Sequence, residues 1–155
     1  MLEAIQVSKA ENYPSYQTLQ PQYNLYDRAD YEKTLQPLVL EHGIGVINYY
    51  ALASGFLSGK YRGTADLTKN PRGQAVKRYL DTRGLRILDA LDLVAARLNA
   101  NPARVALAWL FARPGITAPI ASATTLAHLD DLVAATRLTL DVEAISLLNL
   151  ASAES

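Results

Sequence analysis

The side chains that most often carry chemistry are few in this sequence and poorly spaced for it. The two histidines, His42 and His128, lie far apart and cannot form the paired histidines of a helical metal motif. The absence of cysteine removes thiol nucleophiles, disulfides and thiolate metal ligands. Asp130 and Asp131 are neighbours on a predicted helix, where adjacent side chains do not face each other. These residues therefore predict neither a metal centre nor a two-carboxylate acid–base site.

Composition narrows the classes of function further. The 155 residues include 15 basic and 15 acidic side chains, so the formal net charge is zero. A neutral chain is not held to nucleic acid or an acidic membrane by bulk charge. It contains no run of about 18 apolar residues that could span a bilayer, and residues 1–13 lack the apolar stretch of a signal peptide. We expect one cytoplasmic α/β segment covering residues 1–155.

Helices and short apolar strands alternate along the chain. We predict strands at 16–20, 44–49 and 116–120, and helices at 2–11, from Asp27 or Asp30 to Gly43, at 74–99, at 103–113 behind an Asn101-Pro102 cap, from Thr124 or Thr125 to 135, and at 141–150. This order is typical of parallel βαβ units with right-handed crossovers. A closed (β/α)8 barrel needs roughly 200 residues or more, and an open three-stranded sheet would leave its edges exposed. The pattern therefore indicates an incomplete fold.

Residues 51–73 form a long segment without a clean helical or strand period. It contains four glycines and Pro71. A loop of this length in a compact chain is usually functional or disordered. We expect a flexible loop that is able to close over a ligand.

Three stretches of the sequence carry a family resemblance. They read LQPQYNL at 19–25, VINYYALASGFLSGKY at 46–61 and APIASATTLAHLDDL at 118–132. Together with their spacing they resemble the carboxyl-terminal half of an aldo/keto reductase, in particular the branch of bacterial enzymes and potassium-channel β subunits. The resemblance implies a TIM barrel that reduces aldehydes and ketones with NADP(H), of which this chain would supply the last three βα units.

The same resemblance implies which parts of the enzyme this chain lacks. The Asp, Tyr, Lys and His of the family's catalytic tetrad come from the first half of the barrel, and no residue here matches them. The Ser-Asn pair that holds the nicotinamide carboxamide is also unmatched. We therefore expect no catalytic residues in this chain and no turnover by the chain alone.

The resemblance assigns cofactor-binding roles at the ends of all three strands. Gln20 matches the glutamine that hydrogen-bonds the nicotinamide carboxamide, and an amide can both donate and accept there. Tyr49 matches the aromatic residue that stacks on the nicotinamide ring. The segment from Tyr50 matches the backbone that approaches the pyrophosphate, where small residues allow close contact; its assigned members are Tyr50, Leu52, Ala53, Ser54 and Gly55.

The remaining assignments concern charge and the adenosine end of the cofactor. Lys60 matches a basic residue that neutralises phosphate. After the last strand, the positions that hold the 2′-phosphate, ribose and adenine are matched by Ser122, Thr124, His128 and Asp131. The helix that begins near Thr125 would add its positive amino-terminal dipole.

Five positions depart from the family pattern. Tyr50 replaces a serine and Ala51 a proline, while His128 replaces a glutamine and Leu132 an asparagine. Thr124 stands where many members place an arginine against the 2′-phosphate, so NAD(H) stays open beside NADP(H). Arg72 is a candidate to replace that arginine.

Plainer interpretations stand beside each assignment. Tyr49 and Tyr50 would by default be core or barrel-lining aromatics, the loop glycines alone are weak evidence for phosphate binding, and Asp131 could serve only as first-turn helix charge. A non-catalytic module that self-associates through its exposed sheet edges is the alternative function.

Overall fold

The computed structural model describes residues 1–69 and 73–154. Nine helices and strands are regular enough to label. In chain order they are α1 (Leu2–Ala10), β1 (Thr18–Leu19), α2 (Gln36–His42), β2 (Gly45–Val46), α3 (Gly73–Val76), α4 (Thr82–Arg97), α5 (Pro102–Phe111), α6 (Leu126–Ala135) and α7 (Val142–Ser152). The chain is thus α/β, mostly helical with a small sheet. Within the described residues, no helix is long and apolar enough to cross a membrane.

The sheet is short and parallel. Thr18 pairs with Gly45 and Leu19 with Val46, so β1 and β2 run side by side in the order and direction predicted. An isolated parallel bridge between Gln22 and Tyr49 continues the same register. The two strands are shorter than the predicted 16–20 and 44–49, but the pairing between them follows the βαβ pattern.

The predicted strand at 116–120 was wrong as a regular strand. It forms a single parallel bridge between Val46 and Ile116, supplemented by backbone hydrogen bonds from Thr117 to Val46 and from Ile120 to Asn48. The pairing is thus limited to one bridge and a few hydrogen bonds, and it does not extend into a continuous ladder. Its direction and place beside β2 are nevertheless those of a parallel third strand.

A stretch of π-helix precedes α2. Residues Tyr31–Leu35 are wound in this wider form, and the Gln36 amide donates to the carbonyl of Tyr31. The cause is Pro37, which has no N–H and whose ring clashes with the carbonyl four residues earlier. The helical interpretation of this region was correct, but its first turns are wider than α-helix.

Side-chain caps set the starts of the later helices as predicted. Asn101 accepts from the Arg104 amide at the start of α5, and Asp141 accepts from the Ala144 amide at the start of α7. Of the two threonines considered for α6, Thr125 is the cap. Gly43 ends α2 at φ +64°, a left-handed conformation that glycine adopts without strain.

The helix predicted at 74–99 is broken in two. The structure has α3, a single 3₁₀ turn at Lys77–Tyr79, and a fresh start at α4. Asp81 has extended backbone angles and its carboxylate accepts from the Gly84 amide, which makes it the N-cap of α4. Apolar residues recur at helical spacing on both sides of Asp81, so the sequence pattern did not indicate a break there.

The helices cover one face of the sheet. Tyr23, Val46 and Asn48 are fully buried on that face, and the ring of Tyr23 lies 5.6 Å from the ring of Trp109 in α5. Over the part of the chain that the structure describes, no helix covers the opposite face, where Gln20 and Tyr49 are exposed and Gln22 and Ile47 are half-buried. The predicted loop at 51–73 contains two 3₁₀ segments, Ala53–Ser58 and Thr64–Lys69, and buries Phe56 and Leu57 in the core.

Candidate functional site

The strand register sorts the residues that follow β1 and β2 onto two faces. Side chains alternate along a strand, so Gln20 and Gln22 share a face with Ile47 and Tyr49. This is the face without helices, and Gln20 and Tyr49 are both exposed on it. The two residues assigned to the nicotinamide therefore lie on the same open face at the carboxyl end of the sheet.

Two tyrosine rings stand at the end of β2. Tyr49 is 39% exposed and Tyr50 is 52% exposed. Their ring centroids are 5.2 Å apart at an angle of 57°. Neither tyrosine is therefore a buried core residue, while a barrel-lining position stays a prediction, and the exposed part of the Tyr49 ring is accessible to a planar group.

The backbone after Tyr50 adopts an unusual conformation. Tyr50, Ala53 and Ser54 have positive φ angles of 54°, 50° and 58°, and Gly55 follows at 94°. For residues other than glycine this conformation is sparsely populated, and clusters of such residues occur at ligand-binding sites. The amides of Ala53 and Gly55 donate to the carbonyls of Tyr50 and Leu52, so two N–H groups of this turn are used inside it.

Lys60 lies against the same turn. A Cβ atom placed on Gly55 would be 3.5 Å from the Lys60 ammonium nitrogen and 3.4 Å from the adjoining carbon. The ammonium also sits 5.2 Å from the centre of the Tyr61 ring. The positively charged ammonium of Lys60 therefore lies beside Gly55, which leaves space for it because glycine has no Cβ atom.

The residues assigned to the adenosine end lie around the start of α6. Ser122, Thr124 and His128 are exposed, and the Thr124 hydroxyl is 3.1 Å from Nδ1 of His128. Asp131 is already engaged, because its Oδ1 accepts from Arg104 Nε at 2.8 Å and from Asn101 Nδ2 at 2.9 Å. Arg72, the candidate replacement for the arginine, lies outside the described residues.

Backbone hydrogen bonds bring three groups of assigned residues to one edge of the sheet. These groups follow β1, β2 and the 116–120 segment. The Tyr49 amide donates to the carbonyl of Pro21, and the Ile120 amide donates to the carbonyl of Asn48. The ends of β1, of β2 and of the 116–120 segment therefore lie side by side. Carboxyl ends of parallel strands are where ligands bind in α/β folds.

A network that the sequence did not reveal supports this edge. Asn24 and Asp27 form a turn in which the Asn24 Oδ1 atom accepts from the amides of Tyr26 and Asp27. Asn24 Nδ2 donates to the carbonyl of Tyr50 at 3.0 Å. Spacing of Asn and Asp across a short turn is a known signal for such geometry, and it was available at 24–27.

One surface cavity of the described chain lies away from this edge. A cavity of about 530 Å³ lies between α1 and α2, where Lys9, Tyr13, Tyr16 and His42 are among its lining residues. None of the assigned cofactor residues lines it. In the described part of the chain, no group of three or more His, Asp or Glu side chains is placed to hold a metal ion. The candidate site is thus an open strand edge and not an enclosed pocket.

Comparison with known proteins identifies the family. The sequence profile described as the aldo/keto reductase family matches residues 2–152. The chain belongs to the aldo/keto reductase family. Its members have a TIM-barrel fold and generally bind a nicotinamide cofactor.

Individual relatives agree with this membership. The uncharacterized oxidoreductase YrpG of Bacillus subtilis is 34% identical over 85% of this chain and 39% of its own length. A probable voltage-gated potassium channel subunit beta of rice is 34% identical over 68% of the chain and 34% of its own length. The probable aldo-keto reductase 1 of soybean is 32% identical over 76% of this chain and 34% of its own length. This aldo/keto reductase chain therefore spans between a third and two fifths of the length of these three relatives.

Proposed function

We propose that this chain is the cofactor-binding portion of an NADP(H)-dependent aldo/keto reductase, formed by the last three βα units of the barrel. The observation that carries the proposal is the shared edge. Gln20, Tyr49, the turn at 50–55 and the segment after Ile120 are held side by side by the parallel register. In this proposal, residues 1–155 form a single segment of the barrel.

The residues present fit a dinucleotide. The exposed ring of Tyr49 offers a flat apolar surface for a nicotinamide ring, and the Gln20 amide lies on the same face for its carboxamide. The turn at 50–55 and the ammonium of Lys60 offer backbone and positive charge to a pyrophosphate. When bound, the nicotinamide supplies the hydride, while these side chains bind and orient it.

The adenosine end does not distinguish NADP(H) from NAD(H). Ser122, Thr124 and His128 are exposed hydrogen-bonding groups suited to a ribose or a phosphate. The nearby guanidinium of Arg104 is paired with Asp131, which reduces its attraction for a 2′-phosphate. NADP(H) is proposed from the family, and NAD(H) is the competing cofactor.

We infer that carbonyl reduction needs a second part of the barrel. The tetrad of Asp, Tyr, Lys and His has no matching positions in this sequence, so the chain supplies cofactor binding and the other part supplies proton transfer. The isolated chain should bind dinucleotide and not turn over. Reduction of an aldehyde by the pure chain would overturn this division of roles.

The experiment is a titration of the purified chain with NADPH, followed by nicotinamide fluorescence. Tyr49→Ala removes the stacking surface, and Tyr16→Ala removes a more exposed tyrosine that precedes β1 and is not part of the site. Saturable binding that is lost in Tyr49→Ala and kept in Tyr16→Ala supports the proposal. Absence of binding by the folded wild type overturns it, and a parallel titration with NADH decides between the cofactors.

A second candidate function is a non-catalytic module that associates with itself. The observation in its favour is the apolar surface of α6, where Leu126 is 80% exposed and Leu129 and Val133 lie on the same side of the helix. This surface adjoins the open edge at 116–120. Contiguous exposed apolar surface of this kind marks an interaction site, for a second copy in this alternative or for the rest of a barrel in the first.

A further inference from the structure

One carboxylate oxygen collects four hydrogen-bond donors beside the candidate site. Asp27 Oδ2 accepts from Gln22 Nε2 at 2.7 Å and from the Tyr79 hydroxyl at 2.8 Å. It also accepts from an Arg78 guanidinium nitrogen at 3.1 Å and from Asn24 Nδ2 at 3.2 Å. These donors come from the end of β1 and from the segment that follows α3. Asp27 therefore joins parts of the chain separated by the whole 51–73 loop.

The amino-terminal end of that loop is fixed by the same turn. Asn24 Nδ2, which contacts Asp27, also donates to the carbonyl of Tyr50. Tyr50 is the first residue with positive φ in the turn at 50–55. Since Gln22 pairs with Tyr49 in the sheet, the turn at 24–27 is coupled to the backbone at 49–50 from two directions.

The carboxyl-terminal end of the loop is fixed through Tyr79. Its hydroxyl donates to Asp27, while its ring stacks on Phe56 at 5.4 Å and 20°. Phe56 directly follows the turn at 50–55, inside the 3₁₀ segment Ala53–Ser58. Gly84 makes room for this arrangement, because a Cβ there would collide with the carbonyl of Tyr79. The chain before the loop and the chain that follows α3 thus both connect to Asp27.

The charge of Asp27 is balanced locally. Arg78 pairs with it and also donates to the Tyr79 hydroxyl. An unpaired carboxylate close to a pyrophosphate site would repel the phosphates. The pairing with Arg78 leaves this side of the turn without net charge.

We propose that Asp27 is a positioning residue that holds the turn at 50–55 in the conformation that receives the dinucleotide pyrophosphate, by tying both ends of the 51–73 loop to the end of β1. This inference rests on the proposed cofactor-binding function. Asp27 need not touch the cofactor, since it acts through Asn24 and Tyr79. We therefore expect loss of the Asp27 carboxylate to loosen the turn at 50–55 and not the whole fold.

The test uses two readouts on the full chain. Hydrogen exchange of the Ala53 and Gly55 amides, measured without ligand, reports the turn itself. NADPH titration reports how a change in the turn alters the affinity for the cofactor. Asp27→Ala should speed exchange at these two amides and weaken NADPH binding by about tenfold, the loss expected for one hydrogen bond to a charged group. Asp27→Asn keeps an acceptor oxygen, so its amide exchange rates and its affinity for NADPH should lie between those of wild type and Asp27→Ala.

Matched variants separate positioning from general stability. Tyr79→Phe keeps the stack on Phe56 and removes one donor, so it should shift both readouts in the same direction by less. Arg97→Gln breaks an exposed ion pair with Asp141 far from the loop, and should change neither. If Asp27→Ala does not fold, Tyr79→Phe and Arg78→Gln carry the test.

The outcomes distinguish the two proposals. Unchanged exchange at Ala53 and Gly55 in the Asp27 and Tyr79 variants overturns the positioning role, whatever the wild type binds. Exchange that rises equally across the helices also overturns it, because that result describes a merely structural residue. Failure of the wild type to bind either dinucleotide overturns the proposed function, while the exchange measurement still decides whether Asp27 holds the turn.

Discussion

The side chain of Asn48 donates a 2.7 Å hydrogen bond to the backbone carbonyl of Tyr23, and both residues are fully buried. The bond joins the chain beyond β1 to the chain beyond β2, directly behind the exposed Tyr49. Among the described residues, the other amide atom of Asn48, Oδ1, has no hydrogen-bond partner. The candidate site therefore has a buried polar support on its helix-covered side.

Replacement of Asn48 by aspartate tests this support. A carboxylate would face the carbonyl of Tyr23 in a buried position, so the variant should lose about 3 kcal/mol of unfolding free energy at neutral pH. Protonated aspartate can donate as the amide does, which raises its folded pKa. The deficit against wild type should shrink as the pH falls from the raised folded pKa to the ordinary aspartate pKa, be smallest below it, and reappear as the pH rises again.

Urea unfolding at several pH values measures that deficit. Gln6→Glu adds a carboxylate at an exposed position of α1 and serves as the control for added charge. A deficit for Asn48→Asp that does not vary with pH would contradict the assigned hydrogen bond.

Arg28 ties α7 to the rest of the chain. Its NH1 atom donates to Asn149 at 3.1 Å and to the buried Ser152 hydroxyl at 2.7 Å, and the guanidinium lies 5.0 Å from the centre of the Trp109 ring. Lysine cannot reproduce this fork or the stacking. We expect Arg28→Lys to lower the unfolding free energy by about 2 kcal/mol.

The measurement is again chemical denaturation, with Arg137→Lys at an exposed position as the matched control. Equal stability of the two variants would show that the charge of Arg28 matters and its hydrogen-bonding geometry does not.

Asp141 links stability to acid pH. The hydrogen bond from the Ala144 amide, together with Arg97, holds the pKa of this carboxyl below its usual range. A carboxyl with a lowered folded pKa stabilises the protein above its unfolded pKa of about 3.9, and that contribution is lost as the pH falls through the folded pKa. Wild type should therefore lose stability on acidification partly through Asp141.

Asparagine at this position caps a helix equally well but does not titrate. Asp141→Asn should unfold with a shallower dependence on pH between about 5 and 2 than wild type does. Thermal melts over this range provide the comparison, and parallel curves for the two proteins would refute the linkage.

The apolar surface of α6 predicts an effect on association without an effect on folding. Leu126 and Leu129 are exposed, so Leu126→Gln with Leu129→Gln should change the unfolding free energy by less than about 0.5 kcal/mol per position. If this surface mediates self-association, light scattering should detect a smaller species in the double variant. Leu93→Gln, on the outer side of α4, is the control. Identical masses for all three proteins would argue against the self-associating alternative.

Sequence reasoning succeeded where a local rule decides the structure. Asn101, Thr125 and Asp141 begin helices because their side chains accept from amides three residues later, a requirement visible in the residues themselves. The parallel pairing of β1 and β2 followed from the alternation of helices and apolar runs. These features place the ends of the strands, and with them Gln20 and Tyr49, at one edge.

The failures share a different cause. The break before Asp81 was missed because the apolar period continues across it, and the π-helical turns before Pro37 depend on a backbone clash that periodicity does not encode. The third strand is reduced to a bridge at Ile116, a difference of pairing that the apolar pattern of residues 116–120 does not encode. The hydrogen bonds from Arg78 and Tyr79 to Asp27 could not be predicted, because these donors come from a distant part of the chain.

The bridge between Val46 and Ile116 also bears on the order of folding. It joins segments on either side of α3, α4 and α5, so the chain must close a long loop before this pairing gains any energy. The helices α4 and α5, separated only by residues 98–101, can meet much earlier. We expect the helical layer to assemble first and the strand edge to be completed last, so that a chain emerging from the unfolded state becomes able to hold a dinucleotide only at the end of its folding.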